Sequence, residues 1–253
     1  MATAAQYTDP YLQTYTQVPA AGPGVCAVCH SGPNPGHATC YSCADVMRQV
    51  SQPTKNVIPI SLYKLNSQLW HVLRFYKDGS GRSAELLAMQ VAAIIARFAA
   101  QHLQCVAGVL GGDPTVVTSV PSTRPQPRPG KHPLETAIAR VGALAPLYAP
   151  LLGRGPAHVD HNQADDGAFT LQHKLGEERV LIIDDTLTTG ARLQSAVSGL
   201  RRNGASAVAA IVVGRVINPE WNDNCRRIWD QAREIQFSFD DCCLCRNKVA
   251  NNP

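Results

Sequence analysis

A strand–turn–helix–strand pattern in the second half of the chain constrains the fold more than any other feature. Residues 179–183 (RVLII) form a mostly apolar run of strand length, typical of a central parallel strand. Residues 191–204 follow a helical pattern that ends in RRNG, and residues 206–216 (SAVAAIVVGRV) have the composition of a second buried strand. Together they make a βαβ unit. The sequence therefore predicts an α/β fold, with helices flanking a mostly parallel sheet.

The rest of the chain gives weaker structural signals. Five prolines spread over residues 121–133 predict a loop there. Residues 153–170 are polar and contain several glycines, which predicts a long mobile loop. The first 25 residues are polar and are expected to be mostly irregular. Periodicity predicts helices at 67–76, 83–102 and 134–145 and a strand at 115–120.

The turn of the βαβ unit carries chemistry suited to a sugar phosphate. Asp184 and Asp185 follow the apolar run, so they are expected at the carboxyl end of a strand, where ligands bind in open α/β sheets. Residues 186–190 then lead into a helix N-terminus, whose unpaired N–H groups attract phosphate. The carboxylates suit sugar hydroxyls or hydrated Mg²⁺. An ordinary capped β–α turn has similar residues; a P-loop enzyme is excluded because the chain contains no G-x-x-x-x-G-K-[ST].

The eleven residues VLIIDDTLTTG (180–190) resemble the phosphoribosyl pyrophosphate (PRPP) motif of type I phosphoribosyltransferases. The resemblance implies that Asp184 and Asp185 are catalytic and that PRPP binds together with Mg²⁺. It also implies a pyrophosphate-binding loop formed by Ser122, Thr123 and Arg124, although the same loop could be a solvated basic linker. The PRPP-binding residues implied are Asp184, Asp185, Thr186, Leu187, Thr188, Thr189 and Gly190.

The resemblance further places the family's mobile catalytic loop at residues 153–170. Such a loop closes over PRPP and excludes water from the reaction centre. Asp160, His161, Asp165 and Asp166 lie in this loop. Spacing alone selects no general base among them.

Two pairs of cysteines near the N-terminus have metal-ligand spacing. Cys26-x-x-Cys29 and Cys40-x-x-Cys43 predict one tetrahedral structural Zn²⁺ site within residues 26–50. His30 or His37 could each replace one cysteine. The sequence CAVCH also matches c-type haem attachment, which would leave the second pair unexplained, and a redox pair is a further alternative.

The other five cysteines gave no clear signal. Cys242, Cys243 and Cys245 form a C-C-x-C group that is one ligand short of a Cys₄ site, and no role is assigned to it. It could lie near the N-terminal cysteines, because chain termini are often close together. Cys105 and Cys225 are interpreted as ordinary structural cysteines.

An N-terminal two-pair zinc finger joined to a PRPP motif resembles the ComF family of bacterial competence proteins. Residues 69–88 (LWHVLRFYKDGSGRSAELLA) are similar to the family's stretch between finger and core, including Lys77 and Gly79. The resemblance implies a type I phosphoribosyltransferase fold and a part in DNA uptake or repair, with single-stranded DNA or DNA-processing proteins as partners. The proline-rich loop departs from the family pattern. Arg192 also departs from it, because threonine or serine is common at that position.

Composition and charge set the remaining expectations. With 45% hydrophobic and 17% charged residues, the chain is neither disordered nor fibrous, and its net charge of +4 permits a polyanionic partner without requiring one. No apolar window predicts a membrane span, and no secretory signal is recognisable, so a cytoplasmic location is expected. The predicted organisation is an irregular segment (1–25), a zinc-finger-like region (26–50), an α/β domain (51–220) and a cysteine-containing tail (221–253).

Three classes of function fit these observations. The first is an enzyme that transfers ribose 5-phosphate from PRPP to a nitrogen acceptor and releases pyrophosphate. The second is a module that senses PRPP or a nucleotide, or binds single-stranded DNA, without turnover. The third is a scaffold whose finger recruits a protein partner. The oligomeric state is not indicated.

Overall fold

The structure is a computed structural model that describes residues 3–79, 81–122 and 132–245. Its strands are β1 (Val57–Tyr63), β2 (Val116–Ser119), β3 (Leu152–Arg154), β4 (Phe169–Leu171), β5 (Arg179–Leu187) and β6 (Ala207–Val216). Four of them form one parallel sheet in the order β1-β6-β5-β2, and β3 pairs with β4 in an antiparallel hairpin. The α/β class predicted from the sequence is confirmed.

Helices cover both faces of the parallel sheet. They are α1 (Ala4–Thr8), α2 (Tyr41–Arg48), α3 (Gln68–Asp78), α4 (Gly81–Leu110), α5 (Pro133–Ile138), α6 (Ala191–Arg202) and α7 (Asp223–Glu234), with 3₁₀ turns at Asp9–Thr14 and Ala145–Leu147. Side chains alternate along each strand, so β5 buries Leu181 and Ile183 in the core with α3 and α4. Val180 and Ile182 instead face the core shared with α6 and the N-terminal cysteines.

The central strand β5 is longer than its apolar run. It continues through the acidic pair to Leu187, because Asp184, Thr186 and Leu187 keep pairing with β6. The sequence placed this segment in a turn; the turn is confined to residues 188–190. The acidic pair therefore belongs to the last part of a rigid strand, which fixes where both carboxylates point.

Strand β1 was not predicted. Its Pro59 cannot donate a backbone hydrogen bond, which argues against a central strand. The structure places β1 at the edge of the sheet, where only one side pairs with another sheet strand. Its outer side is partly covered by the N-terminal segment, where the Leu62 N–H donates to the Thr16 carbonyl at 3.0 Å.

Several irregular segments are more ordered than expected. The first 25 residues contain α1 and a 3₁₀ turn. In contrast, the predicted helix at 134–145 is shorter than expected and ends with α5 at Ile138. The predicted mobile loop at 153–170 begins and ends in the β3–β4 hairpin. The segment after 220 contains α7, followed by a strap that packs Phe237 and Phe239 into the main core.

The long helix α4 bears on the expectation that no segment spans a membrane. Among the described residues it is the one helix with the length and apolar composition of a membrane span. Many of its apolar side chains, including Val91, Ile94, Ile95 and Phe98, are buried against the rest of the chain. Core helices pass the same test of length and composition, so this helix is weak support for a membrane span.

Candidate functional site

The two acids of β5 lie at one end of a cavity of about 450 Å³. Successive strand side chains point to opposite faces of a sheet, so Asp184 and Asp185 approach the cavity from different sides. Both carboxylates are largely buried, at 7% and 5% exposure. Two acids this close to each other and this buried need compensating charge or hydrogen bonds.

Helix α3 supplies that compensation for Asp185. The Lys77 ammonium lies 2.8 Å from one carboxylate oxygen and 3.0 Å from the other. The Tyr76 hydroxyl donates a short hydrogen bond to the same carboxylate. Both residues stand in the last turns of α3, so the helix end is directed at the tip of β5.

The environments of the two acids shift their pKa values in opposite directions. Burial, followed by the neighbouring Asp185 charge, raises the pKa of Asp184 to about 6. Burial also opposes ionisation of Asp185, but the Lys77 charge and the hydrogen bonds from Lys77 and Tyr76 outweigh it and hold the pKa of Asp185 below its usual value. Asp185 is therefore a fixed anion, whereas Asp184 titrates near neutral pH.

The turn after β5 leads into a helix N-terminus that no side chain caps. Gly190 is the N-cap of α6 and has a φ of 89°, a left-handed conformation that favours glycine. No N-cap side chain accepts a hydrogen bond from the first N–H groups of this helix. Such a terminus attracts phosphate through its N–H groups and its partial positive charge.

A second segment of chain lies over this turn. The Thr189 hydroxyl donates a short hydrogen bond to the His161 carbonyl. Asp160 and His161 line the cavity, whereas Asp165 and Asp166 do not. Asp166 instead accepts hydrogen bonds from the Ser51 N–H at 3.1 Å and the Ser198 hydroxyl at 2.5 Å, which tie the segment down. The structure therefore brings two of the four predicted loop residues to the site.

The predicted pyrophosphate loop is described only at its start. Thr123 and Arg124 lie outside the described residues, and Ser122 does not line the described part of the cavity. Arg192 does line it and donates to the Pro121 carbonyl at 3.0 Å. The residue that departs from the family pattern thus places a cation between the first turn of α6 and the start of this loop.

The four N-terminal cysteines form one buried cluster. The sulfurs of Cys26, Cys29, Cys40 and Cys43 all lie within 4.8 Å of one another, and those of Cys29 and Cys40 are 3.6 Å apart. Four sulfurs around a tetrahedral ion at about 2.3 Å are separated by about 3.8 Å, so the cluster can hold a metal ion such as Zn²⁺.

The two histidines considered as alternative ligands are not part of the cluster. The His30 ring nitrogen Nδ1 lies 2.9 Å from the Pro19 carbonyl, and His37 is exposed.

A buried arginine connects this cluster with the turn at residues 188–190, the candidate phosphate turn. Arg215 is 7% exposed and donates to the Thr188 carbonyl at 2.7 Å and to the Ser31 hydroxyl at 3.3 Å. Burial disfavours its charge, but the thiolates of the cluster, Cys29 first, outweigh that cost and raise the pKa of Arg215. The cysteine region and the turn therefore share one cation.

Sequence reasoning did not place three residues of this structure at the site. Tyr76 lies in the predicted helix at 67–76 and Arg215 in the predicted strand at 206–216, and neither position carries a local signal of function. Lys77 was noted only through the family resemblance, and no spacing rule links it to an acid 108 residues away. Only the folded chain brings these groups together.

Comparison with known proteins supports a phosphoribosyltransferase-like chain. No protein-family model matches. The chain is 37% identical over 82 residues to the adenine phosphoribosyltransferases of Mycobacterium avium and Mycolicibacterium paratuberculosis, covering 30% of this chain and 41% of each relative. It is 31% identical over 101 residues to the transcriptional regulator GfcR of Methanoculleus marisnigri, covering 39% of this chain and 47% of that protein. The chain thus spans less than half the length of these curated relatives.

Proposed function

We propose that this protein binds PRPP together with Mg²⁺ at the tip of β5 and transfers its ribose 5-phosphate to a nitrogen acceptor, releasing pyrophosphate. One observation carries the proposal. A single strand presents Asp184 and Asp185 to a cavity that also contains an uncapped helix N-terminus at Gly190. Carboxylates suit a sugar and its hydrated cation, whereas the helix N-terminus suits its phosphate. The similarity to adenine phosphoribosyltransferases supports the same reading.

Each group then has a defined task. The turn at residues 188–190 holds the 5′-phosphate through backbone N–H groups, joined by the hydroxyls of Thr186, Thr188 and Thr189. Asp184 and Asp185 orient the ribose, with Lys77 and Tyr76 holding Asp185 in place. Bound Mg²⁺ would lie among the carboxylate oxygens and offset the charge of the diphosphate. The protein contributes mainly positioning and charge stabilisation, which are worth several kcal/mol in such transfers.

The covering segment must move before the phosphate can bind in this way. The Thr189 hydroxyl donates a hydrogen bond to the His161 carbonyl. A bound phosphate would compete with this carbonyl for the hydroxyl. We infer that residues 158–162 open to admit PRPP and close again over it, as the family's mobile loop does.

A second cavity of about 450 Å³ offers a place for the acceptor. It shares Leu65, Thr188 and Val216 with the first cavity, so the two adjoin. Its lining also includes the side chains of Tyr41 and Trp221, which are 62% and 66% exposed. Exposed aromatic rings beside a transfer site suit stacking with a planar nitrogen heterocycle.

Turnover is tested with a panel of nucleobases supplied with PRPP and Mg²⁺. We expect one base to cause release of pyrophosphate, measured with a coupled pyrophosphatase assay, and the Asp184→Asn/Asp185→Asn variant to release none. Pyrophosphate release by that variant at the wild-type rate would refute the site. A wild-type protein that binds PRPP but turns over no base would support the second candidate function.

That second candidate is a sensor that binds PRPP or a nucleotide without turnover. The similarity to a transcriptional regulator favours it, because the matched segment covers nearly half of that protein. The same pocket serves both functions, and only the fate of bound PRPP differs.

The remaining assignments follow from the cysteine cluster and the family resemblance. We propose structural Zn²⁺ in the cluster of Cys26, Cys29, Cys40 and Cys43, and a cytoplasmic location. Metal analysis tests the zinc site: the Cys26→Ser/Cys29→Ser variant should contain one zinc fewer per chain than the wild type. The role in DNA uptake or repair rests on the resemblance to ComF proteins, and fluorescence anisotropy with a labelled single-stranded oligonucleotide tests it.

A further inference from the structure

A second group of potential metal ligands lies on the face of the sheet opposite the N-terminal cysteine cluster. His102 and Cys105 belong to α4, and Cys242 and Cys245 belong to the strap that follows α7. Their ligand atoms all lie within 4.8 Å of one another. Among the described residues, none of these four lines the PRPP cavity.

The histidine is oriented as a metal ligand would be. Its Nε2 lies 2.8 Å from the Phe239 carbonyl, which can only accept a hydrogen bond, so Nε2 carries the proton. The unprotonated Nδ1 then faces Cys105, whose sulfur is 3.9 Å away. Histidines that bind metals commonly donate their other ring N–H to a carbonyl in this way, which fixes both tautomer and ring orientation.

The tail cysteines have the spacing and backbone contacts of a ligand pair. Cys242 and Cys245 form a C-x-x-C sequence within the C-C-x-C group. The Cys245 N–H donates to the Cys242 sulfur at 3.4 Å, and the Cys242 N–H to the Cys245 sulfur at 3.0 Å. Such N–H groups stabilise negative charge on sulfur. Cys243 is fully buried in the main core and is not one of the four grouped residues.

The strap that carries these cysteines is held by side-chain packing and by Gln17, whose side chain accepts from the Ser238 N–H at 3.1 Å and donates to the Asp241 carbonyl at 3.0 Å. Residues 235–245 contain no helix or strand and are held by Phe237 and Phe239, which pack on Tyr15 at centroid distances of 5.3 and 6.2 Å. A short irregular segment gains most from a cross-link to a rigid element such as α4. The tail therefore supplies two ligands, Cys242 and Cys245, and α4 supplies the other two, His102 and Cys105.

We propose that His102, Cys105, Cys242 and Cys245 form a second structural site for a thiophilic divalent cation of the Zn²⁺ class, which fastens the C-terminal strap to α4. Three thiolates and one imidazole fill all four positions of a tetrahedral ion, so the site is structural rather than catalytic. It is independent of the N-terminal Cys₄ cluster and of the proposed PRPP chemistry.

The test is zinc content, measured by mass spectrometry on the full chain purified under reducing conditions. We expect about two zinc ions per wild-type chain, given two four-ligand sites. The Cys242→Ser/Cys245→Ser variant and the Cys26→Ser/Cys29→Ser variant should each lose one, and a chain with all four changes should lose both. Cys243→Ser is the matched control and should keep the full content. Unchanged zinc in the Cys242→Ser/Cys245→Ser variant would overturn the proposal.

These variants also separate the two sites. If only the N-terminal site is real, the wild type holds one zinc and the Cys26→Ser/Cys29→Ser variant none. If only the second site is real, the tail variant loses the single zinc instead. His102→Gln should likewise lower the content by one, whereas His71→Gln, on the exposed side of α3, should not.

Alkylation of the wild-type protein covers the case in which the variants fail to fold. Cys105 and Cys245 are partly exposed, so packing alone leaves them open to iodoacetamide. We expect both to resist alkylation until a chelator is added, with peptide mapping as the readout. Rapid alkylation without chelator, or a disulfide among Cys105, Cys242 and Cys245 in freshly purified reduced protein, would contradict the proposal.

Discussion

The Lys77 ammonium lies 2.8 Å from the carboxylate of Asp185 and fixes the charge of the central acid of the site. Lys77 is on the last turn of α3 and Asp185 on β5, so this pair joins the helix that precedes α4 to the strand tip. The Tyr76 hydroxyl completes the contact on the same carboxylate. The acid is consequently held in one orientation before any ligand arrives, which is the preorganisation that the proposed transfer would require.

Replacing Lys77 should therefore destabilise the protein. Lys77→Met removes the counter-charge of a buried carboxylate and should lower the free energy of unfolding by about 1–3 kcal/mol. The loss is smaller than for a fully buried pair, because the lysine side chain is 23% exposed. Urea denaturation at pH 7 measures it, and Lys77→Arg, which keeps the charge, is the control. Equal stability of the wild type and the Met variant would contradict the assigned ion pair.

Thr189 tests the phosphate turn. Its hydroxyl donates a hydrogen bond to the His161 carbonyl in the free protein. We expect the hydroxyl to donate to the phosphate instead when PRPP is bound. A hydrogen bond to a charged group contributes about 1.5–3 kcal/mol, so Thr189→Val should weaken PRPP binding about ten- to a hundredfold. Thr170→Val, whose hydroxyl donates to the Arg154 carbonyl outside the cavity, is the matched control. Unchanged affinity in calorimetry would show that the hydroxyl does not reach the phosphate.

Asp184 predicts a pH dependence of stability. Its pKa in the folded protein is about 6, against 3.8 for the ordinary side chain. Because the folded state holds this proton more tightly, the stability it contributes is fully present below the ordinary pKa and is lost as the pH rises through 6. The wild type should therefore lose stability relative to Asp184→Asn mainly between pH 3.8 and 6, and the difference should level off above about pH 7, in denaturation measurements at each pH. A difference that stays constant between pH 3.8 and 6 would show that Asp184 is not perturbed.

Because Arg215 contacts both the cysteine region and the phosphate turn, we expect these two regions to be coupled. Arg215→Met leaves the Thr188 carbonyl without its guanidinium donor and removes the cation beside the cluster thiolates. We expect faster zinc loss to a chelator and weaker PRPP binding in the same variant. Arg179→Met, at the half-buried start of β5 with its guanidinium donating to the Asp113 carbonyl, should change neither property. A variant that releases zinc faster but binds PRPP as the wild type does would show that the two regions are not coupled.

The parts of the fold that could be predicted are those with local signals. The apolar run at 179–183, the helix after it and the strand after that have the periodicity of buried elements, and the N-terminal cysteine pairs carry their own spacing. The extension of β5 through Asp184 and Thr186 had no such signal, because pairing with β6 rather than side-chain propensity keeps these residues extended. Strand β1 was hidden by Pro59, which an edge position tolerates.

The same distinction holds for the sites. The two acids and the threonine-rich turn lie within residues 184–190, so they could be recognised from sequence spacing alone. The Tyr76–Asp185 contact joins residues 109 apart, and the cluster of His102 with Cys242 and Cys245 joins a helix to the far end of the chain. Contacts of this kind depend on tertiary packing and have no pattern in a single sequence.

The decisive measurement is isothermal calorimetry of PRPP with Mg²⁺ on the wild type and on Asp184→Asn/Asp185→Asn, with Asp165→Asn, outside the cavity, as control. We predict that the wild type and the control bind and that the double variant does not, although circular dichroism shows it folded. Binding of undiminished strength by a folded double variant would place the sugar phosphate elsewhere on the molecule.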